Sequence, residues 1–477
     1  VQTKIMRRRD FFLNTSLATV GIGISPLVFG GSHTRSRLLE GPEKTAKNII
    51  FLVSDGMSAG TLNMADLMSQ RQLGRSSYWV DAYRTGLAKR AMMDTASADS
   101  LVTDSAASGS AWGGGVRVNN GRINWGENGE QYTPILQKFK QLGKAVGCVT
   151  TVPITHATPA SFCVCNEHRR NQPEMAKQYL DLRFDVMLGG GKEYFDKTLR
   201  SDGEDVFGLF EKAKFGVAKT KKELEKLRND KRPVLGVFHE SALPFTIDQN
   251  SVKSIQDQVP TIQEMTQFAI NKLKNNPEGF VLQIEGGRVD WAAHSNDTTG
   301  LIFDQIAFDE AVKIALDFAE KDGETLVIIT TDHGNGNPGL FYGKKANVNF
   351  DNLQVAKHSN YWILEGEGIE RNITTSTLIE RVHYAQNYRL TDAEAKELVD
   401  WINALSEEDI KNEYKLPYER LAQLQKKYTA VGWGDMHHSA DFVELAMTGP
   451  GSEMLTPFVK NYELHNFMLV AAGVEVK

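Results

Sequence analysis

The chain has 477 residues, with 54 Lys and Arg against 60 Asp and Glu and a net charge of −6. Hydrophobic residues at 41% and charged ones at 24% are ordinary for a globular protein, which excludes a disordered tail, a collagen-like fibre and a polytopic membrane protein. The acid excess argues against nucleic-acid binding, which needs a basic face, and Cys148, Cys163 and Cys165 are too few for a disulfide scaffold. In chain order, Met6–Gly30 comes first. Arg7, Arg8 and Arg9 precede Phe11-Phe12-Leu13 and a modestly apolar stretch, the layout of a secretory signal, and the Arg-Arg-Asp-Phe-Phe run resembles a twin-arginine signal. The apolar part is too short and too interrupted by Gly and Pro to span a membrane. An amphipathic N-terminal helix is the bland alternative. The expectation is a periplasmic or secreted protein, with residues 1–44 as export signal and linker and no membrane span in the mature chain.

Residues 45–345 alternate short apolar runs with helix-patterned stretches. Asn48–Val53 runs on to Asp55, Phe280–Ile284 stops at Glu285, and Thr325–Thr331 stops at Asp332-His333. Lys144–Val152, Phe184–Leu188 and Pro233–Phe238 also read as strands. Such runs predict an α/β fold with a central, mostly parallel sheet sandwiched between helices. Ligands bind beyond the carboxyl ends of strands in open α/β sheets. A lone Asp there is usually a cap or turn residue, but three acids at one edge repel unless cations lie between them. The edge is expected to bind metal.

Val102–Gly115 is a run of small residues in which Asp104 or Ser105 can cap a short helix, leaving N–H groups free for an anion. A hydroxyl there, beside a metal, is a competent nucleophile for phosphoryl transfer. Taken alone, an ordinary capped helix packed closely through Ala and Gly is the better reading. Asp290 and His294 stand at i and i+4, so one helical face presents both to one ion. Thr158-Pro159 reads as N-cap and first helical position. Residues 346–431 turn polar and then helical, with a capping-box pattern at Thr391–Glu394 and a helix over Tyr418–Tyr428. They are expected to be an inserted helical subdomain over one side of the site, as lid, dimer contact or substrate selector. Phe442–Thr448 returns as a final strand within 432–477.

These segments, taken together, resemble the alkaline phosphatases. Thr103-Asp-Ser-Ala-Ala-Ser108 looks like that family's nucleophile segment, and Ser54-Asp-Gly-Met57 its first metal strand. His156-Ala-Thr-Pro159, Glu285-Gly-Gly-Arg-Val-Asp290 with His294, Thr331-Asp-His-Gly334 and His438-Ser-Ala440 follow in the family's order. The resemblance implies hydrolysis of phosphate monoesters through a phosphoserine at Ser105, with Arg169 binding the phosphate. It implies two zincs and one magnesium: Asp290, His294 and His438 at the first zinc, Asp55, Asp332 and His333 at the second, and Glu285 and Thr158 at the magnesium, with Asp55 bridging. Arg170 and His437 are the register alternatives to Arg169 and His438. Departures from the family are expected to matter. His156 stands where some members have Asp, which favours zinc at the third site. Trp291 stands where some have Lys, which weakens the hold on product phosphate. The remaining His33, His239, His358, His383 and His465 are expected to pack or face solvent. Small phosphomonoesters are the expected partners, with a homodimer in view. A phosphodiesterase on the same scaffold and a non-catalytic phosphate- or metal-binding protein are the alternatives.

Overall fold

The computed structural model describes residues 41–366 and 372–476, so the signal reading of Met6–Gly30 lies outside the described residues. Ten segments form one sheet: β1 (Asn48–Val53), β2 (Lys89–Asp94), β3 (Ala145–Pro153), β4 (Val186–Gly190), β5 (Gly216–Ala218), β6 (Val234–Val237), β7 (Phe280–Glu285), β8 (Thr325–Thr330), β9 (Val443–Thr448) and β10 (Phe458–Lys460). Their spatial order is β10-β2-β9-β8-β1-β7-β3-β4-β6-β5. Only β9 runs against its neighbours, β2 and β8. The fold is thus the expected α/β sandwich with a largely parallel sheet.

The central strands β1, β3, β7 and β8 are buried along their whole length, because helices cover both faces and no residue alternates toward water. On one face lies the 25-residue helix Thr298–Asp322, which packs Leu301, Phe308 and Val312 into the core beneath β1 and β8. On the other face, helix Ser105–Gly114 lies against helix Ala157–Cys163. A Cβ at Gly113 would meet the Ser161 carbonyl oxygen at 1.9 Å. That contact explains why the nucleophile-like segment is built of small residues.

Three strands depart from the sequence reading. β2 has exposed positions at Lys89, Arg90 and Met92, while β5 and β10 have three residues each, too short for a periodic signal. Phe442–Thr448 is not the final strand, because β10 follows it, pairing parallel with β2.

Segment 346–431 carries an apolar cluster of its own, including Ile363, Leu378, Val382, Leu398, Ile402 and Leu421. The Thr391–Glu394 capping box is formed. Two carboxylates from outside the segment hold the start of its helix Asn360–Leu364. Asp297 Oδ2 accepts from the Asn360 N–H at 2.6 Å, and Asp248 Oδ1 accepts from the Ser359 N–H at 3.1 Å. All three cysteines are free, and Cys148 and Cys163 lie with sulfurs 3.7 Å apart in the core. No described helix is long and apolar enough to cross a membrane.

Candidate metal centre and active site

Because β1, β3, β7 and β8 run parallel, their carboxyl ends bring distant residues to one edge. Asp55 follows β1 and is fully buried, with no hydrogen bond to either carboxylate oxygen. Next to it Gly56 has φ of 68°, and a Cβ there would lie 2.4 Å from Asp290 Oδ1. Only glycine lets β1 approach Asp290 so closely. Asp332 follows β8. Its Oδ1 accepts from the N–H groups of Gly56 and His333, each at 3.0 Å, while its Oδ2 has no partner. Glu285 ends β7, with one oxygen taken by the Thr150 hydroxyl and the other unpartnered.

Helix Arg288–His294 presents Asp290 and His294 on one face, 3.4 Å apart between Oδ2 and Nε2. The side-chain amide of Asn335 donates to Asp290 Oδ1 at 2.7 Å. His438 arrives on a two-residue bridge that pairs His438–Ser439 antiparallel with Gly334–Asn335. Its Nε2 lies 3.1 Å from that of His294 and 3.7 Å from Asp290 Oδ1. His333 Nε2 lies 3.1 Å from Asp332 Oδ2 and 3.6 Å from Asp55 Oδ1.

The three imidazoles share one orientation device. Nδ1 of His294 and of His438 each lies 2.8 Å from a backbone carbonyl, of Met436 and Thr103 respectively, and His333 Nδ1 lies 3.3 Å from the Gly334 carbonyl. A carbonyl only accepts, so Nδ1 carries a proton and Nε2 is the ring atom that faces the cluster.

Three groups of donors converge closely enough to share an ion: Asp290 with His333 and His438, Asp55 with Asp332 and His333, and Asp55 with His156 and Glu285. Buried oxygens and nitrogens without partners are costly. Five such atoms belong to these three groups: both oxygens of Asp55, Asp332 Oδ2, Glu285 Oε1 and His156 Nδ1; Thr158 Oγ1, two residues from His156, is another. Mixed oxygen and nitrogen donors of this kind fit zinc, and the oxygens of Glu285 and Thr158 fit magnesium.

Charge tells the same story. Burial, then the charges of Asp332, Asp290 and Glu285, push the Asp55 carboxyl well above its usual range. Burial works against His294, yet the adjacent Asp290 carboxylate raises it to about 9. His438 is lowered to about 4, by burial first and then by His333. Groups so close compete for protons, a competition that bound cations would replace.

Thr158 does not cap its helix. His156 occupies the N-cap position and the helix starts at Ala157, which puts Pro159 within the first turn, where its missing N–H is not needed. The Thr158 hydroxyl, two residues from His156 of the third cluster, is buried without a partner. His156 stands closer to that cluster than expected, its Nδ1 3.9 Å from Glu285 Oε1.

Ser105 opens helix Ser105–Gly114, and the cap is Asp104, whose Oδ1 accepts from the Ala107 N–H at 2.9 Å. Ser105 Oγ, buried, lies 3.4 Å from His333 Nε2. The other oxygen of Asp104 holds Arg169 at 2.9 Å, and Arg169 also donates to His156 Nε2 at 3.0 Å. Arg170 and His437, the register alternatives, are both exposed. Asp104 as the anchor of Arg169 and Asn335 as the anchor of Asp290 are functional contacts that sequence reasoning missed. The Asp104 cap was legible, but nothing in the sequence signals what its second oxygen meets. Trp291, partly buried, sets its ring edge-on to His156, 6.3 Å between centroids. His358 and His465 are buried in packing roles, bonded to Asp248 and to the Trp112 carbonyl.

The site opens into a cavity of about 1440 Å³. Ser105, Arg169, Asp290, His294 and His438 line it on one side, Trp401 and Tyr414 on another.

A parallel sheet that gathers four carboxylates and three imidazoles at its strand ends, beside a buried serine at a helix start, has the architecture of a hydrolase built around cations. The family model described as alkaline phosphatase matches residues 46–474, and the chain belongs to that family. It is 29% identical to alkaline phosphatase 4 of Bacillus subtilis over 97% of this chain and 98% of that one. Alkaline phosphatase 3 of the same organism is 30% identical over 92% of this chain and 91% of its own. The crystal structure of Thermus thermophilus alkaline phosphatase superposes with a TM-score of 0.84 at 30% identity, covering 94% of this chain and 96% of that one.

Proposed function

We propose that the protein hydrolyses phosphate monoesters through a phosphoserine at Ser105, in a centre that takes two zinc ions and one magnesium. The observation that carries this reading is the juxtaposition of a buried hydroxyl, 3.4 Å from His333 Nε2, with the Arg169 fork that Asp104 anchors. Asp290, His294 and His438 would hold the first zinc, and Asp55, Asp332 and His333 the second. Glu285 and Thr158 would hold the magnesium with Asp55 bridging, and His156 makes zinc the alternative there. When bound, such cations neutralise charge on the entering, leaving and nonbridging oxygens.

The chain's own groups account for the rest. Arg169 donates its remaining N–H groups to two nonbridging oxygens and orients phosphorus toward Ser105. Ser105 Oγ forms the bond to phosphorus as the bond to the alcohol oxygen breaks, and the Oγ proton leaves with the alcohol. Water then attacks phosphorus from the vacated side, the Oγ–phosphorus bond breaks, one water proton restores the Ser105 hydroxyl, and inorganic phosphate leaves. Two in-line displacements retain configuration. A diester presents one fewer charged oxygen to Arg169, and mere binding needs no nucleophile, so neither rival uses this arrangement fully. Residues 346–431 form, in this reading, a helical insertion in a catalytic core of 45–345 and 432–477, supported by their separate apolar cluster. The Arg7-Arg8 run supports export before function.

Trp291 places no cation beside the phosphate. Trp291→Lys is expected to tighten inhibition by phosphate about fivefold, the order of one added charge pair near a surface. An unchanged inhibition constant would remove Trp291 from product release. The reading as a whole is tested by initial rates on a nitrophenyl phosphate monoester and the matching diester, with the protein loaded with zinc and magnesium and a chelated control. The expected result is a strong preference for the monoester that the chelator abolishes. Diester preference overturns the substrate class, and no turnover on either ester leaves the binding-protein alternative.

A further inference from the structure

We propose that residues 401–418 build a subsite for the alcohol half of the substrate, shaped for a planar aromatic ring. The proposal rests on the phosphomonoesterase reading and adds a substrate class to it: phosphate monoesters that carry a flat ring, such as nucleoside monophosphates.

The cavity has two chemically distinct sides. Its inner side is polar and belongs to Ser105, Arg169 and the cluster ligands. A phosphoryl group fills a small part of about 1440 Å³, so most of the space is left for the group it is attached to. The rest of the lining comes from segment 346–431, where three aromatic rings, Trp401, Tyr414 and Tyr418, stand among Glu413, Leu416, Glu419 and Arg420.

Tyr414 stands on the single turn Glu413–Lys415 and is 83% exposed, although it lines the same cavity as Ser105. A tyrosine ring left bare at a cavity mouth offers a rigid stacking face at little entropic cost. The charges of Asp290 and Arg169 reach its phenol.

The turn that carries Tyr414 is braced from behind. Trp401, on helix Asp392–Ala404, donates its indole N–H to the Lys415 carbonyl at 3.0 Å and keeps its own ring half-exposed at the cavity. Tyr418 is buried, with its hydroxyl bonded to Glu365, and forms fixed wall. The N–H groups of Asn360 and Ser359 donate to Asp297 and Asp248 and tie the segment to the core. A planar ring bonded through a short alcohol to the phosphoryl group is the ligand that uses both sides at once.

The test uses the full metal-loaded protein and compares a nucleoside 5′-monophosphate with glycerol phosphate. Both release alkyl alcohols, so the ring is the variable. Tyr414→Ala is expected to lower the ratio of kcat/KM for the nucleotide over glycerol phosphate about tenfold, the loss typical when a ring–base stack is removed. Tyr414→Phe is expected to keep the wild-type ratio. An unchanged ratio in Tyr414→Ala overturns the subsite, and an equal fall in Tyr414→Phe overturns stacking in favour of a hydroxyl contact. A wild-type protein that hydrolyses neither ester overturns the phosphatase reading and the subsite with it.

Discussion

Ser105→Ala is expected to lower turnover of a phosphate monoester by about 10³-fold or more, while the fold and the metal content stay as they are. The two halves of that expectation have separate physical grounds. Helix Ser105–Gly114 is capped by Asp104, not by Ser105, so losing the Ser105 hydroxyl removes no capping hydrogen bond. Ala is also the best helix former. What disappears is the hydroxyl that stands against His333 Nε2 and would bond to phosphorus. Acid-quenching the wild-type enzyme during turnover should trap phosphate on the Ser105 peptide, visible by mass spectrometry, and the variant should show none. If the variant kept near-wild-type rates, water would be attacking the ester directly, and the covalent mechanism would be wrong. If the rate fell but phosphate were trapped elsewhere, another residue would be the nucleophile.

How much of this was legible beforehand depends on whether the signal was local. The buried strands β1, β7 and β8 announced themselves as unbroken apolar runs ending in acids, because both sheet faces are covered. The i, i+4 pair Asp290 and His294 was legible from helical geometry alone. The place of His438 was legible only through its Ser-Ala context, since what brings it in is a bridge to Gly334–Asn335 more than a hundred residues earlier in the chain. The Thr158-Pro159 cap was misjudged by two residues because a Pro in the first turn is compatible with more than one start. Least legible was the aromatic side of the cavity. Trp401, Tyr414 and Tyr418 sit among helix-forming residues and read as ordinary core or surface positions. Only the packing of segment 346–431 brings them to one cavity with Ser105.

The largest effect on stability is expected from removing the cations, and the effect of one substitution should change sign with their removal. Asp55, Glu285, Asp290 and Asp332 are all buried, and three of them present oxygens that no protein group satisfies. Ions that bind only the folded state stabilise it by about 4 kcal/mol when present at ~1,000 times their dissociation constant. A chelator should therefore lower the unfolding temperature by about 4 °C for each ion lost, as well as abolish turnover. Asp55 separates metal loss from any general effect of the chelator. In the metal-loaded protein, Asp55→Asn removes a carboxylate that two clusters share and should be less stable than wild type. In the chelated protein the same carboxylate is a buried acid, opposed first by desolvation and then by Asp332, Asp290 and Glu285. Neutralising it there removes that opposition, so Asp55→Asn should melt above chelated wild type. Melting curves of both proteins with and without chelator would show the crossing. A variant less stable under both conditions would mean that Asp55 supports the fold through something other than a cation. A wild-type curve that chelation does not move would count against a tightly held metal centre.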